Sequence, residues 1–381
     1  MYWALMRGFD SLPANLREDS NDLEIYRKSG EAVLRGQIPY RDFFIEYPPG
    51  SIPFFVPPAL FADGRFEYIN LFAQEMALVL ISSLVLVALA ARRLFGVNAW
   101  VLPAITFAAG AALLYPVAVT RYDAVVTLSL ALAAFCAALG GRYVYAAYAS
   151  LGLGAAAKLV PALAALPLAL TKNKVVRGLA VSGVVGLLFF IPALVFGGER
   201  FIESFAYHAE RGLQLESVWA SVLIQLGLVD EVEMGFGAYQ VEGSGVELMS
   251  SLSLPITAAL LLFTCFVMYG EYRDGRLDAK SFPRYGAAFV LAFVIGSKVL
   301  SPQYMLWLLP LAPLVGGVIG TGVSVILIAA CLLTTMVFPI HYEMLIDLRS
   351  PAPALLISRN LLLVAIWALL LARTDKKGKD Q

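Results

Sequence analysis

The sequence predicts an all-α fold, a polytopic membrane helical bundle of about eleven transmembrane helices with interfacial helices in its first outer loop. Of the 381 residues, 60% are hydrophobic and 15% are charged, compared with about 45–50% and about 25% in soluble domains. Apolar runs recur from end to end, so residues 1–381 are expected to form a single integral membrane domain. The 28 basic and 28 acidic residues balance, which gives no reason to expect a nucleic acid partner. The high apolar content and the recurrent apolar runs exclude soluble enzymes and nucleic-acid-binding proteins.

Segments that are long and apolar enough to cross a bilayer define the spans of this bundle. They lie at about 68–91, 97–117, 122–140, 143–157, 159–171, 178–197, 250–270, 284–300, 303–317, 319–339 and 353–372. Lys158 separates two short spans. They could equally form one broken helix or a re-entrant pair, because Pro161 and Pro167 interrupt the second of them.

The distribution of charge predicts the orientation. Basic residues in the short connections, such as Arg92, Arg273 and Arg276, fall on one face, which the positive-inside rule makes cytoplasmic together with the C-terminus. The opposite, more acidic face carries two long segments, residues 1–67 and residues 198–249. We expect this extracytoplasmic face to carry the function, because long ordered loops commonly do so.

This topology places the N-terminus outside with no preceding helix to export it. Two explanations are open at the level of sequence. Either a first helix is missing from the chain, or residues 1–67 cross the membrane together with the span at 68–91.

The first outer loop has its own helix signals. A helix is predicted over residues 22–35, since Ser20 or Asn21 can cap its start and Gly36 is a stop signal. Its apolar residues recur near helical spacing, as expected for a helix in the membrane interface. Residues 48–62 contain five prolines and are therefore expected to lie in the membrane surface without a regular spanning helix.

Ionisable residues are densest in this loop. They are Asp22, Arg41, Asp42, Glu46 and Tyr47. A carboxylate held against apolar surface could act as a general base toward a hydroxyl within hydrogen-bond reach. The structural alternative is that Asp22 favours a helix N-terminus, while Arg41 pairs with Asp42 or Glu46.

Charges at the predicted outer ends of the spans form a second group. They are Arg121 with Asp123, Lys158, Arg211, Lys298 and Arg359. Burying such a charge costs at least about 2.5 kcal/mol on insertion scales, so each needs a partner or a task. Together they could form a positive pocket for an anionic headgroup. Alternatively, each could reach the interface or pair locally, as Arg121 could with Asp123.

The residues that metal binding or nucleophilic catalysis would need are sparse. His208 and His341 are the only histidines and lack metal-binding spacing, so neither a metal nor another cofactor is expected. His208 could instead orient an acceptor or a phosphate. No serine stands in a nucleophile-elbow motif, so nucleophilic catalysis is unsupported.

Several strings together resemble a known superfamily. They are NDLEIY, GQIPYRDFFIEYPPGSIPFF, TRYDAVVTLSLALA, KLVPALAALPLAL, HAERGLQLESVWA and KVLSPQYMLWLLPL. In this order, each at a predicted outer membrane edge, they resemble the GT-C membrane glycosyltransferases. The closest similarity is to glycosyltransferase family 87, the polyprenyl-phosphate-mannose-dependent α-mannosyltransferase-like proteins, from about residue 20 to residue 315.

The resemblance implies a GT-C-like fold and transfer of a sugar, with inversion, from a polyprenyl-phosphate donor in the membrane lipid to a lipid- or glycan-linked acceptor outside the cytoplasm. Mannose is the sugar that it favours. Asp22 matches the Asp-x-x-x-Tyr pattern of the catalytic carboxylate and would accept the proton of the acceptor hydroxyl. The donor phosphate would be held by cations, for which the candidates are Arg121, Lys158, Arg211 and Lys298.

The remaining candidates are expected to shape the sugar or acceptor site. They are Arg41, Asp42, Glu46, Tyr47, Asp123, His208, Glu216, Gln303 and Tyr304.

Two other classes remain open at the level of sequence. A transporter could place Lys158 and Lys298 along a substrate path, although the charges cluster at one edge and the halves of the chain show no repeat. A flippase of a lipid-linked sugar and a lipid-linked glycan ligase or polymerase would also bind phosphate at the outer face. Of these, only a transferase or ligase needs a base beside the phosphate.

Overall fold

The helical bundle that the sequence predicts is present in a computed structural model of the protein. It describes residues 1–12, 21–172 and 175–372, without the side chains of Asn21, Tyr207, His208 and Ala209. Ser20, one of the two predicted helix caps, and the His208 side chain therefore lie outside the described residues.

The first half of the chain contains ten labelled helices within the described residues. They are α1 (Tyr2–Asp10), α2 (Asn21–Leu34), α3 (Val56–Phe61), α4 (Arg65–Phe95), α5 (Val101–Leu113), α6 (Tyr115–Ala118), α7 (Asp123–Leu139), α8 (Tyr143–Ala157), α9 (Ala165–Lys172) and α10 (Val175–Gly197). Short 3₁₀ turns at Pro49–Phe54 and Val160–Ala164 lie between them.

The second half adds a hairpin and further helices. They are α11 (Glu199–Glu210), α12 (Val218–Gln225), β1 (Val229–Gly235), β2 (Ala238–Gly243), α13 (Val246–Arg273), α14 (Ser281–Gly296), α15 (Gly317–Thr335), α16 (Tyr342–Ile346) and α17 (Ala352–Leu371). The 3₁₀ turns Pro302–Trp307 and Ala312–Leu314 precede α15, and a π turn at Met336–Ile340 extends it.

Five helices in the described part of the chain are long and apolar enough to cross a membrane, namely α4, α10, α13, α15 with its π turn, and α17. Several shorter apolar helices pack among them, and α14 is buried along almost its whole length. The protein is thus a multi-pass membrane protein, as predicted. The total of about eleven transmembrane helices stays a prediction.

The predicted span at 303–317 is not a continuous helix. Its backbone forms two 3₁₀ turns, and the chain between Met305 and Val315 is buried. Pro302, Pro310 and Pro313 account for the break, because each removes a backbone donor. Irregular backbone of this kind is tolerated at membrane depth where it is buried in protein.

The prediction of an all-α fold is wrong for residues 198–249, which contain an antiparallel hairpin. β1 pairs with β2 up to Gly235 and Ala238, leaving Phe236 and Gly237 as the connection. Both have positive φ, 51° and 71°, as a two-residue type I′ turn requires. The backbone of residues 213–215 then pairs with the other side of β2, through hydrogen bonds of 3.0 Å.

The first loop folds largely as its sequence predicts. Its main helix, α2, ends before Gly36, whose φ of +79° is the left-handed conformation expected just past a helix end. Residues 48–62 form only a 3₁₀ turn and α3, confirming that no regular spanning helix lies there. A Cβ on Gly50 would meet the Ala156 carbonyl carbon at 2.5 Å, so this loop packs directly on the end of α8.

Candidate active site

A cavity of about 450 Å³ lies where the first loop meets the loops of the second half. Asp22 and residues of the 116–121 segment line one side. Gln214, Glu216 and the hairpin tip line another. The remaining wall comes from residues 301–303 and from the segment 338–346. The cavity therefore draws together parts of the chain that are distant in sequence.

Asp22 lies in the first turn of α2 and is fixed by two partners. Its Oδ2 lies 2.8 Å from Arg121 Nε, and its Oδ1 accepts a hydrogen bond of 2.9 Å from the Tyr47 hydroxyl. The Asp22 side chain is 28% exposed. Since each carboxylate oxygen can accept more than one hydrogen bond, Asp22 is held in place while keeping acceptor capacity.

An aromatic cluster orients Tyr47. The Tyr47 ring packs edge-on against Tyr26 and Tyr122, with centroids 5.3 Å away in both cases, and Tyr26 stacks on Phe55 at 4.4 Å. Burial in this cluster raises the pKa of the Tyr47 hydroxyl well above its ordinary value. Tyr47 therefore keeps its proton and remains a hydrogen-bond donor to Asp22.

Lys158 occupies the break between α8 and the turn that follows it. Its Nζ lies 2.8 Å from Asp123 Oδ1, which also accepts a hydrogen bond of 2.8 Å from the Trp307 indole. The ammonium lies 5.1–5.2 Å from the ring centroids of Tyr122, Tyr304 and Trp307. The backbone of Lys158 is extended, with φ −161° and ψ 129°, so the helix is broken at this residue.

Most cations of the predicted positive pocket pair with separate carboxylates. Arg121 pairs with Asp22. Its proximity in sequence had suggested Asp123 as the partner. Arg211 lies 3.9 Å from Glu46, and its Nη2 donates to the Phe236 carbonyl at the hairpin tip. Of the predicted phosphate ligands, only Arg121 lines the cavity.

Lys298 and Arg359 have different surroundings from the other cations. Lys298 is half-buried after α14, and its carbonyl accepts a hydrogen bond from the Gln214 backbone. Burial lowers the pKa of the Lys298 ammonium. Arg359 is fully buried in α17, where its Nη2 lies 3.8 Å from Glu216 Oε2.

Arg41 and Asp42 lie away from the cavity lining. They pair with each other at 2.9 Å on the surface of the first loop. The hydrogen bond from Arg41 lowers the pKa of the Asp42 carboxyl to about 2. This pair matches the structural alternative offered by the sequence.

Glu216 marks the wall of the cavity formed by the second long loop. It is buried, and this burial raises the pKa of its carboxyl to about 7, against the opposing effect of Arg359. The nearby Tyr342 hydroxyl also opposes this rise of the pKa. Gln303 lines the cavity beside this wall, whereas Tyr304 stacks on Trp307 behind it.

Sequence reasoning missed several lining residues. Gln214 and Glu216 both lie in the string HAERGLQLESVWA, so this string already pointed to Gln214. Tyr239 belongs to the unpredicted hairpin. Tyr342 and Glu343 follow the span predicted at 319–339, in a connection that carried no motif.

Metal binding has no geometric support in the part of the chain that the structure describes, where no group of three or more His, Cys, Asp or Glu side chains could hold an ion. The expectation of no metal stays a prediction. Chemically, the cavity offers the oriented Asp22 carboxylate beside a guanidinium, and its other walls carry the carboxylates of Glu216 and Glu343 with amide and aromatic groups. Such a set can accept a proton from a hydroxyl and stabilise negative charge nearby.

Comparison with known proteins adds two findings. A sequence model described as glycosyltransferase family 87 matches residues 44–302, a stretch that begins after Asp22. The chain is similar in structure to ArnT from Cupriavidus metallidurans bound to undecaprenyl phosphate, with TM-score 0.51 and 16% identity, covering 97% of this chain and 75% of that chain.

The apo state of the same ArnT matches with TM-score 0.49 and 15% identity, covering 91% of this chain and 71% of that chain. No curated protein matches the sequence. At 16% identity, the likeness to ArnT bears on the fold alone.

Proposed function

The chain belongs to glycosyltransferase family 87, and from this membership and the cavity at Asp22 we propose that it inverts the anomeric centre of a sugar taken from a polyprenyl-phosphate donor. Mannose is the sugar that we propose, and the acceptor is a lipid- or glycan-linked hydroxyl on the extracytoplasmic face. The undecaprenyl phosphate bound to the structurally similar ArnT supports the choice of donor. The membrane lipid would thus supply one substrate, in the assembly of cell-envelope glycans.

The observation that carries the proposal is the double fixation of Asp22 in the cavity wall. In the proposed reaction, the acceptor oxygen bonds to the anomeric carbon as the bond from that carbon to the phosphate oxygen breaks. The lipid phosphate leaves with the electron pair, and the hydroxyl proton passes to Asp22. Arg121 orients Asp22 and contributes positive charge to the site.

The other site residues keep their predicted roles as part of this proposal. Lys158, Arg211 and Lys298 would add positive charge around the donor phosphate. The sugar and acceptor would be shaped by Arg41, Asp42, Glu46, Tyr47, Asp123, His208, Glu216, Gln303 and Tyr304. The proposal includes a cytoplasmic C-terminus and an interfacial position for α2, and it assigns no metal or cofactor.

Transfer of labelled mannose from polyprenyl-phosphate-mannose by the reconstituted protein tests the proposal. Asp22→Asn keeps the shape of the side chain but weakens proton acceptance, so we expect transfer to fall about 100-fold or more. Asp63→Asn, an exposed carboxylate change between α3 and α4, is the matched control and should leave the rate unchanged. Undiminished transfer by Asp22→Asn would place the base elsewhere. Donor binding without transfer by the wild type would favour transport of the lipid-linked sugar.

A further inference from the structure

A buried carboxylate in the cavity wall has no part in the chemistry assigned to Asp22. Glu216 is 1% exposed and lines the cavity. Its Oε2 has no hydrogen-bond partner among the described residues, and its ion-pair partner Arg359 is 3.8 Å away. Buried acceptors almost always find a hydrogen-bond partner, because leaving one unsatisfied is costly. Oε2 itself is buried toward Arg359, so the cavity can reach the carboxylate only through its other oxygen. A carboxylate in a cavity wall that accepts no hydrogen bond from the described residues therefore points to a ligand hydroxyl.

Helix α17 fixes this carboxylate from behind. Arg359 is fully buried, and its Nη2 donates to the Glu216 carbonyl at 2.9 Å. The Asn360 amide donates to the Ser217 carbonyl at 3.2 Å and to Ser221 Oγ at 2.9 Å. All of these residues are buried, so the wall behind Glu216 is closed and firmly held.

We propose that Glu216 hydrogen-bonds a hydroxyl of the donor sugar, and that this part of the cavity takes a hydroxyl-rich hexose. The inference rests on the proposed function. Arg359 lies 3.8 Å from Glu216 and offsets its charge from behind the wall. Gln214 and Gln303 add amides that can both donate to and accept from hydroxyls.

The closed wall favours the donor sugar over the acceptor. The acceptor hydroxyl must lie at Asp22, and the anomeric carbon must come within about 3–3.5 Å of it. The donor sugar is joined to its lipid only through that carbon, so the rest of its ring is free to meet a closed wall. A lipid- or glycan-linked acceptor continues beyond its reacting sugar and needs an open path.

The experiment compares kcat/KM for polyprenyl-phosphate-mannose and its monodeoxy analogues, with wild type and Glu216→Gln. We expect removal of one hydroxyl to lower kcat/KM of the wild type by about 10- to 100-fold, because the carboxylate is left without its partner. Removal of the same hydroxyl should lower kcat/KM of Glu216→Gln much less, because this variant lacks the carboxylate with which the hydroxyl interacts. Glu242→Gln, an exposed carboxylate change on β2, is the control and should discriminate as the wild type does.

Glu216→Gln leaves Arg359 buried without its counter-charge, so this variant could fold poorly. Glu216→Asp keeps the charge and withdraws the oxygens from the cavity, and it should show the same reduced discrimination. Equal discrimination by wild type and both variants, or an effect confined to the acceptor KM, would overturn the inference while the proposed function stands. Absence of transfer by the wild type from every polyprenyl-phosphate sugar would overturn both.

Discussion

Arg121 Nε lies 2.8 Å from Asp22 Oδ2, so the cation expected to hold the donor phosphate is the direct partner of the expected base. This pair joins the N-terminus of α2 to the segment just before α7. A planar guanidinium fixes the direction of a carboxylate more closely than an ammonium does. Arg121 is thereby placed to fix the direction of the Asp22 carboxylate.

Arg121→Lys is expected to keep the charge and lose this geometry. We expect kcat for sugar transfer to fall about 10- to 100-fold, because a small misplacement of the reacting group is enough for such a loss. Arg349→Lys alters an exposed pair with Asp347 and should leave the rate unchanged. Steady-state kinetics with polyprenyl-phosphate-mannose provides the measurement. A rate for Arg121→Lys within about twofold of wild type would show that the pair does not set the orientation of Asp22.

Tyr47→Phe is expected to remove the hydrogen bond to Asp22 Oδ1 and preserve the aromatic packing. Hydrogen bonds to charged groups contribute about 1.5–3 kcal/mol, so we expect kcat to fall about 10-fold or more with little change in the donor KM. Tyr68→Phe is the matched control. Its hydroxyl donates to the Phe55 carbonyl at 3.2 Å, so its loss should alter stability and not kcat. Similar kcat values for the two variants would argue against a role for Tyr47 in holding Asp22.

Local signals predicted much of the fold. The span at 143–157 coincides with α8, and Gly36 ends the first-loop helix, because apolar length and a left-handed glycine act within a few residues. The hairpin also has a local feature, since Phe236 and Gly237 form a tight connection between two short segments. Both strands are rich in polar residues, so apolar periodicity does not reveal them.

Residues of the candidate site could be predicted from the sequence, but which of them contact one another could not. Asp22 and Arg121 both stand out in the sequence, but their contact depends on how α2 docks against the start of α7. Hydrophobic periodicity specifies no such long-range contact. Asp123, next but one to Arg121, pairs with Lys158 instead, because the break after α8 brings Lys158 to it. Proximity in sequence therefore suggested the wrong partner.

The pair of Lys158 and Asp123 predicts a non-additive effect on stability. Either Lys158→Met or Asp123→Asn leaves one group without its counter-charge in a largely buried place, and each should cost about 2 kcal/mol or more. The double variant should be less destabilised than the sum of the two. Unfolding of the purified proteins gives the coupling through a double-mutant cycle. Additive losses would mean that the two side chains do not stabilise one another.

The carboxyl of Glu216 predicts how stability changes with pH. Burial raises its pKa in the folded protein to about 7 from an ordinary value of 4.5. Arg359 of α17 and the Tyr342 hydroxyl of α16 oppose this rise of the pKa. The folded state therefore binds the proton more tightly than the unfolded state. The resulting stabilisation is fully present below pH 4.5 and is lost as the pH rises through about 7.

Thermal unfolding midpoints measured between pH 4.5 and pH 8 test this dependence. The midpoint of the wild type, relative to that of Glu216→Gln at the same pH, should fall as the pH rises across this interval, because Gln cannot titrate. Glu242→Gln retains Glu216 and should follow the wild type. Parallel curves for wild type and Glu216→Gln would mean that Glu216 keeps the same protonation state in the folded and unfolded protein. In that case, the balance between burial and Arg359 would favour the ionised carboxylate throughout.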